Sequence, residues 1–167
     1  MKNLSSRMGI GFFITMLALA GTSIPAPSLM AKTLSPHQKH TSPAVALKPM
    51  PGSPEEQAAR SLNQDIIDDS LRHHDNPLFL IGSAALSPRK GTEGLFVQIQ
   101  SPRLCGSSGC TTSVYLRKGK EWVNVLDAVN GDISVLSTRH KGMYDLMVDK
   151  SDKWIWNGHA YQDTLPE

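Results

Sequence analysis

From Pro77 onward the chain is cut into short β-forming segments by closely spaced turn signals, and this punctuation restricts the fold more than any other feature of the sequence. Leu95, Val97 and Ile99 alternate with Phe96, Gln98 and Gln100, the period of two expected of a strand with distinguishable faces. Leu78 to Ile81 is a short apolar run, and further strands are expected at 112–117, 121–126, 133–136, 144–148, 154–156 and 159–162. Between them stand Lys118-Gly119-Lys120, Asn130-Gly131-Asp132, His140-Lys141-Gly142, Ser151-Asp152-Lys153 and Asn157-Gly158. Spacings this short leave room for hairpins but not for helical crossovers, so the strands should form an antiparallel meander. Asn-Gly readily takes the positive φ angles of a tight hairpin, so Asn157-Gly158 predicts a loop of only two residues.

Ahead of the strands lies one helix signal. Ser53-Pro54-Glu55-Glu56 combines an N-cap, a proline at the first helical position and the glutamate of a capping box. Ala58, Ala59, Leu62, Ile66, Ile67 and Leu71 then follow at three- to four-residue spacing, until Asn76-Pro77 ends the helix. The expected fold class is therefore α+β: one N-terminal amphipathic helix packed on an antiparallel β meander, a single domain spanning residues 53–162 with a tail at 163–167. Residues 32–52 carry four prolines among polar residues and predict an extended arm. Residues 1–31 have the form of a secretory signal peptide: Lys2 and Arg7 precede an apolar run from Met8 to Ala20, and cleavage is favoured after Ala31, with Ser28 and Ser23 as alternatives.

These features place the mature protein outside the reducing cytoplasm, periplasmic or secreted. No later apolar stretch has the roughly 18 residues of a membrane helix. The formal charge is +2, and Lys2 and Arg7 account for it, so the remainder is formally neutral and offers no basic field for nucleic acid. Cys105 and Cys110 enclose Gly-Ser-Ser-Gly, and in an oxidising compartment they should form a local disulfide. Closing so short a loop stabilises by only about 2 kcal/mol, enough to fix a turn but too little to hold a domain together.

Chemistry-bearing constellations are sparse. His37 and His40 have a metal-compatible spacing but fall in the arm without a third ligand, while His73 and His74 suit a helix terminus. Asp127, Asn130 and Asp132 lack the calcium-loop pattern. His140 with Asp145 could form an acid/base pair, with Ser107 or Ser137 as a nucleophile, but only folding could bring them into one pocket. No catalytic residue, metal ligand or cofactor-binding residue is assigned. Trp122, Trp154, Trp156 and Tyr161 gather aromatics in the last strands, and Trp154 and Trp156 share a parity. Either they form an outer face that contacts a partner, or they are the core and Ile155 is the exposed residue.

The succession of a signal peptide, a polar Ser35-Pro36-His37-Gln38 arm and a compact domain with few cysteines resembles the small third subunit of membrane-bound quinohaemoprotein alcohol dehydrogenases of acetic acid bacteria. The resemblance implies a non-catalytic accessory subunit that binds and stabilises a periplasmic enzyme, with haem, quinone and pyrroloquinoline quinone held by its partners. The chain has no C-x-x-C-H haem attachment motif of its own. The alternative expectation is a free periplasmic binding or inhibitor protein that acts through an aromatic strand face or the disulfide loop.

Overall fold

The computed structural model describes residues 42–164; the expected signal peptide, the first part of the arm and residues 165–167 lie outside them. Among the described residues the fold is mostly antiparallel β and differs from the expected α+β domain in two ways. Two short helices at 54–72 replace one, and two four-stranded sheets replace a single meander.

The helical segment divides into α1 (Pro54–Leu62) and α2 (Gln64–Arg72) at Asn63, whose φ of −125° leaves the helical region. Its side chain competes with the helix: Nδ2 donates to Ala59 O at 2.7 Å, and Oδ1 accepts from the buried Tyr115 hydroxyl at 3.0 Å. The apolar stripe continues across the break, which is why periodicity alone joins the two helices. The capping box forms as its sequence dictates, with Glu56 N donating to Ser53 Oγ at 3.0 Å and Gly52 N donating to Glu56 Oε2 at 2.7 Å.

The first sheet comprises β1 (Leu78–Ala85), β2 (Glu93–Gln100), β3 (Thr111–Lys118) and β4 (Glu121–Asn130), in sequence order. The second comprises β5 (Ile133–His140), β6 (Met143–Val148), β7 (Asp152–Trp156) and β8 (Tyr161–Asp163), also in order. Asn130-Gly131-Asp132, expected as a hairpin, is instead the corner where the chain leaves one sheet for the other. Gly131 has φ +110°, and a Cβ there would fall 2.6 Å from the Asp149 carboxylate, which accepts from Asp132 N at 3.0 Å. The corner therefore needs glycine both for its backbone angle and for the carboxylate that ties it to the end of β6.

A second correction concerns Asn157-Gly158. The strands resume only at Tyr161, so the loop has four residues, because the Asn157 carboxamide accepts from His159 N at 2.8 Å and from Ala160 N at 3.0 Å.

Both faces of the first sheet carry a buried core. Phe96, Val114, Leu116 and Val125 face the second sheet's Ile133, Leu146, Val148 and Trp156 in one core. On the other face Phe79, Ile81, Leu95, Val97 and Tyr115 pack with Ala59 and, less deeply, Leu62 and Ile67 from the helices. Residues 44–48, from the segment expected as an extended arm, lie as a strap across both sheets. Val45 N donates to Ile133 O at 2.8 Å, and Lys48 exchanges backbone hydrogen bonds with Ile81 at 3.1 and 2.9 Å. Gly82 makes room for the strap, since a Cβ there would meet Ala46 O at 2.7 Å.

Candidate functional site

β2 ends at Gln100 and β3 begins at Thr111, and the connection between them is an exposed loop held by a disulfide and several backbone hydrogen bonds. It starts with a compact turn: the buried Ser101 accepts from Leu104 N through both its carbonyl and Oγ at 3.2 Å, and from Cys105 N through its carbonyl at 3.0 Å. Cys105 and Cys110 are joined by a disulfide with their Cα atoms 4.2 Å apart, as the sequence predicts and as fits an oxidising compartment. Inside it Gly106 and Gly109 exchange backbone hydrogen bonds at 3.1 and 3.0 Å, making a miniature hairpin with Ser107 and Ser108 at its tip. Gly109, at φ +97°, adopts an angle that L side chains rarely take.

The base of this hairpin is braced from two sides. Gln98 Nε2 donates to Cys110 O at 3.4 Å and to Thr112 Oγ1 at 3.2 Å, and Gln98 Oε1 accepts from Gln100 at 2.6 Å. Arg103 reaches Asp69 of α2 at 3.3 Å, and Asp69 also receives Arg72 at 3.1 Å. The tip itself is exposed at Gly106, Ser107, Ser108 and Gly109. The exposed large apolar side chains of the described residues are Leu104 beside the hairpin, Leu78 opposite Gln100 and Leu71 near the end of α2. Chemically the element offers backbone amides, two hydroxyls and a narrow profile on an apolar border.

His140 and Asp145 do come together. Asp145 is fully buried, with Thr138 Oγ1 2.6 Å, His140 Nδ1 2.6 Å and Lys153 Nζ 2.9 Å from its oxygens. Burial alone would raise the Asp145 pKa, but the hydrogen bonds from Thr138, His140 and Lys153, with the lysine charge, outweigh it and hold the carboxyl below its ordinary range. The ionised carboxylate makes His140 Nδ1 the donor. The Thr138 hydroxyl donates to the carboxylate and not to His140. Ser107 and Ser137 make no hydrogen bond to the imidazole. The cluster is thus a charged clamp joining β5, β6 and β7. Thr138 had no signal in the sequence, because an irregular register between Val135 and Arg139 sets its approach, and Lys153 had none because it arrives from β7 through the pairing of that strand with β6.

The four aromatics do not form one surface. Trp156 and Tyr161 are buried in the core between the sheets, with ring centroids 5.3 Å apart in an edge-to-face contact, and Trp154 packs half-buried beside them. Trp122 lies on the far side of the first sheet, with the helices. Asp127 accepts from Ser113 and Asn124 at 3.3 and 3.4 Å. His37 and His40 lie outside the described residues, and among those described no group of three or more His, Cys, Asp or Glu could hold a metal ion. No described helix is long and apolar enough to cross a membrane.

No protein-family model, curated protein or solved structure matches the chain. The resemblance to the dehydrogenase subunit therefore draws no support from known relatives.

Proposed function

We propose that the protein is a binding module working outside the cytoplasm, which inserts the Cys105–Cys110 hairpin into a recess on a protein partner and acts by occupancy, with no chemistry of its own. One observation carries this reading: the hairpin is restrained by a disulfide, a reciprocal pair of backbone bonds and a tether to α2, yet its tip is exposed. Ordering a tip that stays exposed gains little within the fold, whereas it lowers the entropic cost of docking that tip into a partner. The exposed Leu104 and Leu78 supply an apolar border.

Membership of a quinohaemoprotein dehydrogenase is a narrower form of the same proposal, in which the partner carries haem. The test places a photoreactive residue at Ser108, with Gln162 on β8 as the control position, in the full chain expressed and processed in its own envelope. Crosslinking to one discrete protein from position 108, absent from position 162 and lost in a Cys105→Ser/Cys110→Ser variant, is the expected result. Co-migration of that adduct with haem absorbance on gel filtration identifies the dehydrogenase form. Equal crosslinking from both positions, or elution as a lone small protein without adduct, overturns the proposal.

A further inference from the structure

At the other end of β2 and β3, roughly 25 Å from the disulfide hairpin at about 3.3 Å per strand residue, the helices no longer cover the outer face of the first sheet. The uncovered part is floored by small side chains, Ser83 and Ala85, and walled by the turn between β1 and β2 and by Arg117 near the end of β3. The result is an open hollow of about 830 Å³.

Its charged groups are unequal. Arg89, Lys90 and Arg117 line it with a single carboxylate, Glu93, and no carboxylate among the described residues forms an ion pair with any of the three cations. Lys118, at the end of β3, and Lys120, on the adjoining turn, stand beside Glu121. Arg117 is positioned: its guanidinium lies 5.8 Å from the centre of the Trp122 ring, and Nε donates to Gly119 O at 3.3 Å, leaving the outer NH₂ pair without a partner. The turn bearing Arg89 and Lys90 is likewise tied, by Arg89 N to Ser87 Oγ at 3.1 Å and by Thr92 Oγ1 to Arg89 O at 2.6 Å.

We propose that this hollow binds a phosphate ester of a polyol, with Arg117, Arg89 and Lys90 taking the phosphate oxygens and Glu93 accepting from a hydroxyl on the ester arm. A carboxylate presents one edge and suits one arginine fork, whereas a phosphate presents oxygens in several directions and can be met from both turns. The lone glutamate opposes a bare anion but suits an anion that carries hydroxyls. An open mouth admits either a free ester or the headgroup of a lipid, which share this chemistry.

The test follows backbone amide resonances of the full mature chain during titration with glycerol 3-phosphate and, separately, with inorganic phosphate. Saturable shifts at residues 83–93 and 116–120 are expected, with the glycerol ester preferred. Arg117→Gln should weaken binding by about tenfold or more, and Arg117→Lys should restore little of it, because the fork is lost in both. Glu93→Gln should keep phosphate binding and remove the preference for the ester. Unchanged resonances in the core between the sheets confirm that each variant is folded. Sedimentation with phosphatidylglycerol vesicles but not phosphatidylcholine vesicles assigns the lipid source, and ester binding without sedimentation assigns the free one. Absence of saturable shifts in the hollow with both probes, or unaltered affinity in Arg117→Gln, overturns the proposal.

Discussion

His140 Nδ1 lies 2.6 Å from an oxygen of Asp145, a carboxylate with no exposure to solvent, so a buried negative charge in the second sheet depends on partners that water can reach. Because the folded-state pKa of Asp145 is depressed, its contribution is fully present above the unfolded carboxylate value near 4 and is lost as pH falls through the folded value. Asp145→Asn should therefore cost about 2 kcal/mol at neutral pH, less than a fully buried pair because Lys153 and His140 are partly exposed, and should flatten the acid limb of a urea-stability profile.

Asp152 behaves in the opposite sense. One of its oxygens is buried without a partner and the other accepts from Trp154 Nε1 at 2.9 Å. Burial, with Asp163 and Asp149 nearby, raises its pKa, so the folded state loses stability as pH rises through the carboxylate range. Asp152→Asn should stabilise the protein at pH 7 by about 0.5–1 kcal/mol, with the gain vanishing near pH 3, as read from urea midpoints.

Gly82 and Gly131 test two different demands on glycine. A Cβ at Gly82 would press on the strap backbone, and Gly82→Ala should cost about 1–3 kcal/mol and raise hydrogen exchange at Lys48 and Ile81. At Gly131 both φ and the Asp149 carboxylate oppose a side chain, so Gly131→Ala should cost about 2 kcal/mol or more without affecting exchange at Lys48.

Tyr115 and Asn63 form a buried pair whose loss should be visible in the helices. Tyr115→Phe leaves Asn63 Oδ1 without its donor and should lower stability by about 1–2 kcal/mol. Burial, first of all, raises the Tyr115 pKa, as it does that of Tyr161, so an absorbance titration should show these phenols ionising later than a free tyrosine.

Local chemistry was legible wherever a few neighbouring residues decided the outcome. Ser53 to Glu56 specified the start of α1, Cys105 and Cys110 specified their bond, and the alternation around Phe96 specified β2. What the sequence hid depends on partners far along the chain. Asn63 breaks the helix because Tyr115 reaches it, Asn130-Gly131-Asp132 turns a corner because Asp149 reaches it, and the aromatic strands face inward because a second sheet exists to receive them. The candidate site divides the same way: its disulfide could be read from spacing, whereas the tether from Arg103 to Asp69 and the donors around Asp145 could not.

The strap also sets the order in which the molecule can be completed. Every strand pairs only with its neighbours in sequence, so each sheet can zip up from local hairpins as the chain emerges. Residues 44–48 appear before any of those strands, but Val45 binds Ile133, which is made only after the whole first sheet. The two ends of the seam thus meet late, and a chain truncated before β5 would carry Val45 and Leu47 with no inter-sheet core to receive them.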